Sequence, residues 1–289
     1  MDKILITGVA GFIGSNLANY LLSKENNFVY GIDNFSHSTM SNLYPLLKNE
    51  RFEFIEHDLK GDIPLTVDYV FHFAGNGDFD SYFNNKYDFI INKIEIAKNI
   101  IKYAQISGSK LYFPIQYQDY QEENKDFFEY FDCLKLIETL LLELINSNKL
   151  NCLIVRLCDI YGENMSKNDL RMIPTAINQA LLNEDFMIET DKCCYFTYIK
   201  DVVRNLEKLM NEYYPKPVID LINKNLYLKS DIIKLIIAYT KSKSNIDLKS
   251  LMQVQPSFAP NTHNQFECQT NVLDGMLETI KNFKLIHYS

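Results

Sequence analysis

The chain has 289 residues, a hydrophobic fraction of 47% and a formal charge of −8, enough length for one large or two small domains with a packed core. Four arginines in an acidic chain exclude a nucleic-acid footprint, but leave room for a small anion held by backbone amides. No apolar run reaches the ~18–20 residues of a membrane span, the apolar start is too short for a signal peptide, and the six cysteines show no Cys-x-x-Cys spacing, so a reduced cytoplasm is expected. The five histidines are isolated and no metal site is expected.

Lys3 to Ile6 reads as a short buried strand, followed by Gly8, Gly11 and Gly14 and then a helix with Ile13, Leu17 and Leu21 four apart. Glycine suits a turn that takes unusual dihedrals and lies against a ligand with no Cβ in the way. The helix N-terminus behind it offers N–H groups and a positive dipole end to a pyrophosphate. A second strand, Phe28 to Ile32, ends at Asp33, nineteen residues after Gly14, where a dinucleotide fold places an acid for the adenine ribose hydroxyls. The same carboxylate repels a 2′-phosphate, so NAD is expected over NADP. A third strand, Phe52 to Ile55, runs into Glu56-His57-Asp58-Leu59, and a fourth with its exit occupies Val67 to Gly75. A helix over 87–105, a strand from Lys110 to Phe113, a helix over 130–147 that is apolar nearly all round, and a strand from Asn151 to Arg156 follow. Val218 to Leu221 is another strand, Ile232, Leu235 and Ile236 mark another helix, and 270–283 a terminal one. Strands alternating with helices predict a mainly parallel sheet covered on both faces.

The spacing Thr7-Gly8-x-x-Gly11-Phe12-Ile13-Gly14-Ser15-x-Leu17 is not the standard Gly-x-Gly-x-x-Gly. It resembles the extended short-chain dehydrogenases, specifically the NAD-dependent nucleotide-sugar epimerase/dehydratase family. Val67-Asp68-Tyr69-Val70-Phe71-His72-Phe73-Ala74-Gly75, Arg156-Leu157-Cys158-Asp159-Ile160-Tyr161-Gly162 and Phe196 to Val203 are similar to further motifs of that family, in family order. The resemblance implies an α/β fold: a Rossmann-type doubly wound parallel sheet (1–162 plus about 195–218) that binds NAD, with a smaller C-terminal α/β subdomain (163–194 plus 219–289) for the substrate. It implies NAD contacts at Gly8, Gly11, Phe12, Ile13, Gly14, Asp33, Asn34, Asp58, Leu59, Phe73, Ala74, Gly75 and Lys135. It further implies a nucleotide-diphosphate sugar as substrate, and a homodimer through the helices over 87–105 and 130–147.

The departures fall where chemistry is expected. The family signature Tyr-x-x-x-Lys places a phenol and an ammonium four residues apart on one helix face, where the tyrosinate exchanges a proton as hydride moves. Here Lys135 is present but the position four before it is Phe131; Tyr130 is one residue, ~100° of helix, out of register. The family's sugar-facing Ser/Thr aligns with Gln116, and the Asp and Glu of the 4,6-dehydratase subgroup with Tyr117 and Gln118, which argues against a dehydratase. The usual substrate-side Asn is Asp159, and a diphosphate-gripping Arg is Cys194. The expected catalytic set is therefore Lys135, Tyr117 and Gln116, with Tyr117 replacing the lost phenol, and the substrate set is Gln116, Tyr117 and Asp159. Two readings compete: an NAD-dependent epimerase or C4 oxidoreductase with a rebuilt acid/base, and a catalytically reduced relative that binds NAD without that turnover.

Overall fold

The computed structural model describes residues 1–75, 79–117, 128–250, 253–254, 266 and 268–288. Gln118, Tyr120 and most of residues 251–267 lie outside the described residues. In chain order the elements are β1 (Asp2–Thr7), α1 (Phe12–Leu22), β2 (Asn27–Asp33), β3 (Phe52–Glu56), β4 (Tyr69–His72), α2 (Phe79–Asn84), α3 (Lys86–Ser107), β5 (Lys110–Gln116), α4 (Phe128–Asn146) and β6 (Cys152–Leu157). They continue with β7 (Ile160–Tyr161), α5 (Met172–Leu181), β8 (Phe186–Ile188), β9 (Asp191–Tyr195), β10 (Thr197–Tyr198), α6 (Ile199–Asn211), β11 (Val218–Leu221), β12 (Leu226–Leu228), α7 (Lys229–Thr240), β13 (Ile246–Leu248), β14 (Gln253–Val254) and α8 (Val272–His287). Against the sequence reading, β5 runs three residues further, to Gln116, and the terminal helix runs on to His287. The described residues fall into two compact units: one within Met1–Gln116, Tyr120–Arg156 and Val203–Asp220, the other within Tyr117–Asp119, Leu157–Val202 and Leu221–Ser289.

The first unit is built on a seven-stranded sheet of order β11-β6-β5-β4-β1-β2-β3. The pairs β1/β2, β1/β4, β2/β3 and β4/β5 are parallel. Ile4, Leu5 and Ile6 are fully buried, as a parallel strand covered on both faces requires, which is why β1 is continuously apolar rather than alternating. The order reverses beside β1: its successor β2 lies on one side and β4 on the other. That reversal opens a crevice at the carboxyl ends of the strands, where α/β folds bind ligands.

The helices fix the walls of that crevice. Asn85 caps α3, its side chain accepting from the Asp88 amide (3.2 Å), and Gly108 (φ 71°) closes it in the left-handed conformation. The buried stripe of α3 is Lys93, Ala97, Ile100, Ile101 and Ala104. α4 buries Tyr130, Phe131, Leu134, Ile137 and Leu141 in the same core but leaves Leu136 (59%) and Leu140 (48%) exposed. Arg156 on β6 donates from Nε and Nη2 to Glu138 Oε1 on α4 (3.1 and 2.6 Å) and lies 3.9 Å from Asp220 on β11, so helix and sheet edge are joined by a half-buried ion network.

The second unit is held by short pairings: β7 with β10, β8 with β13, and β9 between β12 and β14. Asp191 is buried and accepts from both the amide and the hydroxyl of Ser230 (3.0 and 2.7 Å), fixing the start of α7 to β9. No helix among the described residues is long and apolar enough to cross a membrane.

Candidate functional site

The turn after β1 works because it carries no side chains. Gly8 has φ +70°, and a Cβ there would lie 2.7 Å from both Ala74 N and Phe73 C at the exit of β4. At Gly14 a Cβ would lie 2.3 Å from Gly8 O. The Gly11 amide donates to Gly8 O (3.1 Å), which tightens the turn into the start of α1. First-turn amides of a helix have no acceptor inside it, so the bare turn and the dipole end of α1 form a seat for a phosphate.

A cavity of about 530 Å³ opens over this turn. Of the sequence-derived cofactor set, Gly8, Gly11, Asp33, Asn34, Asp58, Leu59, Phe73, Ala74 and Gly75 line it; Phe12, Ile13, Gly14 and Lys135 are not among its lining residues. Asp33 does more than the sequence reading assigned to it. Its Oδ2 accepts from the Ala10 amide (3.0 Å), and its Oδ1 from the Phe35 amide and the Ser38 hydroxyl (both 2.9 Å). It therefore ties the glycine turn to the loop after β2. A carboxylate offers about four lone-pair sites, so one remains for a ribose hydroxyl. Nearby, Asp58 accepts from the Lys60 amide (3.0 Å). His57 also lines the cavity, and its Nε2 is buried with no hydrogen-bond partner among the described residues.

The inner wall holds groups that motif reading passed over. Lys93, on the buried stripe of α3, lines the cavity, and its Nζ donates to Gly75 O (2.7 Å). The ammonium also stands 5.2 Å from the centre of the Tyr130 ring. Tyr130, out of register with Lys135, donates its hydroxyl to Gln116 Oε1 at the end of β5 (3.3 Å). His72 is a packed core histidine: its Nδ1 is 2.8 Å from Thr7 Oγ1, and burial, helped by Lys93, lowers its pKa to about 3. The signal for Lys93 was present in the sequence, because it occupies a position four before Ala97 in an otherwise apolar stripe.

The expected catalytic and substrate residues each have protein neighbours. Phe131 is buried against Tyr130, ring centres 5.2 Å apart. Lys135 is about half exposed and pairs with Asp132 (3.3 Å). Tyr117, in the second unit, packs against an apolar cluster of Cys158, Tyr195 and Ile222. Asp159 is partly buried, and burial pushes its carboxyl up to about 6 against the opposing pull of Arg171 and Lys229. Arg171 is itself engaged by Asp169, which accepts from its Nε (2.9 Å) and Nη2 (2.5 Å). Cys194, in place of an arginine, is a partly buried thiol that desolvation pushes up to about 12.

The family profile described as the NAD dependent epimerase/dehydratase family matches residues 4–223. Among characterised relatives, UDP-glucuronic acid decarboxylase 1 of Danio rerio is 25% identical over 271 residues, covering 88% of this chain and 64% of that protein. UDP-glucuronic acid decarboxylase 5 of Arabidopsis thaliana is 28% identical over 225 residues, covering 72% and 66%. The matched stretch thus spans just under two thirds of the length of these relatives. Among solved structures, the UDP-glucose 4-epimerase of Thermotoga maritima has a TM-score of 0.82 at 18% identity, covering 98% of this chain and 99% of that one. The UDP-glucuronic acid 4-epimerase of Bacillus cereus, solved with NAD, has a TM-score of 0.81 at 22% identity, covering 99% of each chain. At these identities the two structures establish the fold.

The raised carboxyl of Asp159 has a measurable consequence. Its ordinary value is 3.8 and its folded value about 6, so between those pH values the folded chain holds more protons than the unfolded one, and stability falls as pH rises through the window. Asp159→Asn removes the cost. In urea unfolding it should be more stable than the wild type by roughly 1–2 kcal/mol at pH 7.5, the full linkage value being reduced by solvent, and gain nothing at pH 4. An equal gain at both pH values would contradict the assignment.

Proposed function

Because the chain belongs to the NAD dependent epimerase/dehydratase family, whose cofactor is NAD, we propose that it is a nucleotide-sugar-modifying enzyme of the epimerase or C4 oxidoreductase type. The observation that carries this is the cavity over a turn bare of Cβ atoms, with Asp33 on its wall. In this reading Gly8 and Gly11 take the pyrophosphate, Asp33 and Asn34 the adenine ribose, Asp58 and Leu59 the adenine, and Phe73, Ala74 and Gly75 the nicotinamide side. Bound there, NAD supplies a hydride acceptor for a sugar carbon. For the substrate, a sugar nucleotide, the resemblance assigns Gln116, Tyr117 and Asp159, and it assigns Lys135 to the cofactor ribose. The named relatives act on UDP-glucuronic acid, which makes a UDP-sugar the first substrate to try. A cytoplasmic role in making sugars for surface polysaccharide fits this chemistry.

A second reading is favoured by one observation: Phe131 is packed where the family's proton-transferring phenol belongs, while Lys135 is paired with Asp132. It makes the chain a binding relative with reduced chemistry. Incubation with a panel of UDP- and dTDP-sugars, followed by NADH absorbance and product chromatography, separates the two. Product from any of them supports the enzyme. No product from the natural chain, with activity created by Phe131→Tyr, supports the binding relative.

We propose a homodimer through α3 and α4. Leu136 and Leu140 stand exposed one turn apart on the side of α4 away from its buried stripe, and Ile91 on α3 is also exposed. A second copy laid on that face would bury them in a four-helix arrangement. Sedimentation at micromolar concentration should give a dimer, and Leu136→Glu with Leu140→Glu a folded monomer. A wild-type monomer would reject it.

A further inference from the structure

We propose that the Tyr130 hydroxyl locks the Gln116 side chain as a hydrogen-bond donor, and that this amide selects nucleotide sugars whose sugar carries a carboxylate over those that carry only hydroxyls. The inference rests on the nucleotide-sugar reading above and adds to it the substrate class. β5 lies beside β4 in parallel register, Tyr69 with Lys110, Val70 with Leu111 and Phe71 with Tyr112. The same count brings Gly75, on the cavity wall, level with Gln116, and neighbouring strands are only about 4.8 Å apart. Gln116 is half-buried at the carboxyl end of its strand, the edge at which α/β sheets take ligands.

The hydrogen bond decides which end of the amide is left for a ligand. Tyr130 is 1% exposed. Its ring packs against Phe131, Tyr82 and Phe89, centres 5.2, 6.0 and 6.0 Å away, and the Lys93 ammonium stands 5.2 Å from its centre. A ring packed on these sides aims its hydroxyl in a fixed direction, and that hydroxyl donates to Gln116 Oε1 (3.3 Å). An amide side chain has one carbonyl oxygen and an NH2 with two donors. With the oxygen turned to Tyr130, the Nε2 donors remain, and they have no hydrogen-bond partner among the described residues. The serine or threonine hydroxyl that the resemblance places here both donates and accepts, and so serves a sugar hydroxyl. The locked amide offers donors. A carboxylate accepts from them with charge assistance, a bond roughly twice as strong as a neutral one, whereas a sugar hydroxyl gains only the neutral bond. A glutamine exchanges no proton at working pH, so the part of Gln116 is selection and not acid/base chemistry.

The test is calorimetric titration at neutral pH with UDP-glucuronic acid, UDP-glucose and UDP on the wild type, Gln116→Glu, Gln116→Met and Tyr130→Phe. The wild type should prefer UDP-glucuronic acid to UDP-glucose by about tenfold, the difference between a charge-assisted and a neutral hydrogen bond. Gln116→Glu turns a donor into a like charge and should reverse the preference. Gln116→Met, of similar length and without donors, should abolish it. Tyr130→Phe keeps the ring packing and frees the amide to turn over, so the preference should fall to about threefold or less, an effect that a merely structural role for the phenol would not produce. UDP affinity should be the same in every variant, which shows that each is folded. A wild type that binds both sugar nucleotides without the preference, or a preference that survives Gln116→Met or Tyr130→Phe, overturns the inference and leaves the nucleotide-sugar reading intact. A wild type that binds neither sugar nucleotide overturns both.

Discussion

The structure depends on a backbone contact that tolerates no side chain. Gly8 lies so close to Phe73 and Ala74 that any Cβ would stand 2.7 Å from main-chain atoms. β1 and β4 can therefore lie side by side with their exits in contact. From that contact follow the direction of α1, the crevice at the reversal of strand order, and the place of Gly75 beside the cavity. Asp33 extends the constraint laterally: through Ala10 on one side and Phe35 and Ser38 on the other, its carboxylate holds the turn and the next loop as one rigid rim. A preorganised rim of this kind reduces the ordering lost on binding.

The two halves of the family's chemistry have parted in this chain. Nine of the thirteen expected cofactor positions line the cavity, whereas Phe131 stands four residues before Lys135 and that lysine is half exposed. The core contains a different polar chain, Lys93 to the Tyr130 ring and Tyr130 to Gln116. That chain joins the cavity wall to the end of β5, where the resemblance places the sugar-facing group.

What was legible in the sequence was local. Alternating strands and helices, the glycine turn and the acid at the end of β2 are set by nearest neighbours and fixed spacing, so the sheet and most of the cavity wall could be read directly. Lys135 fitted a motif by spacing, but its surroundings depend on Asp132 and on the packing of α4. Tyr130 was set aside by helical arithmetic that concerned only Lys135, and Gln116 and Lys93 reach it from β5 and α3. Asp33 was recognised by position, while its three protein hydrogen bonds depend on the fold of the loop after it. Asp159 was recognisable as a substitution, but its raised carboxyl arises from burial, against the pull of Arg171 and of Lys229 seventy residues away. Tertiary partners of this sort leave no local trace in the sequence.

The central claim is that the rim from Gly8 to Asp33 is a seat for NAD. Titration of the wild-type protein with NAD and NADP measures it most directly. The remaining acceptor position of Asp33 suits a 2′-hydroxyl, and its negative charge opposes a 2′-phosphate, a like-charge contact that costs several kcal/mol. The account predicts saturable binding of NAD with NADP weaker by at least about tenfold, and loss of that bias in Asp33→Ala. Equal affinity of the wild type for the two dinucleotides, or no binding of NAD, would contradict it.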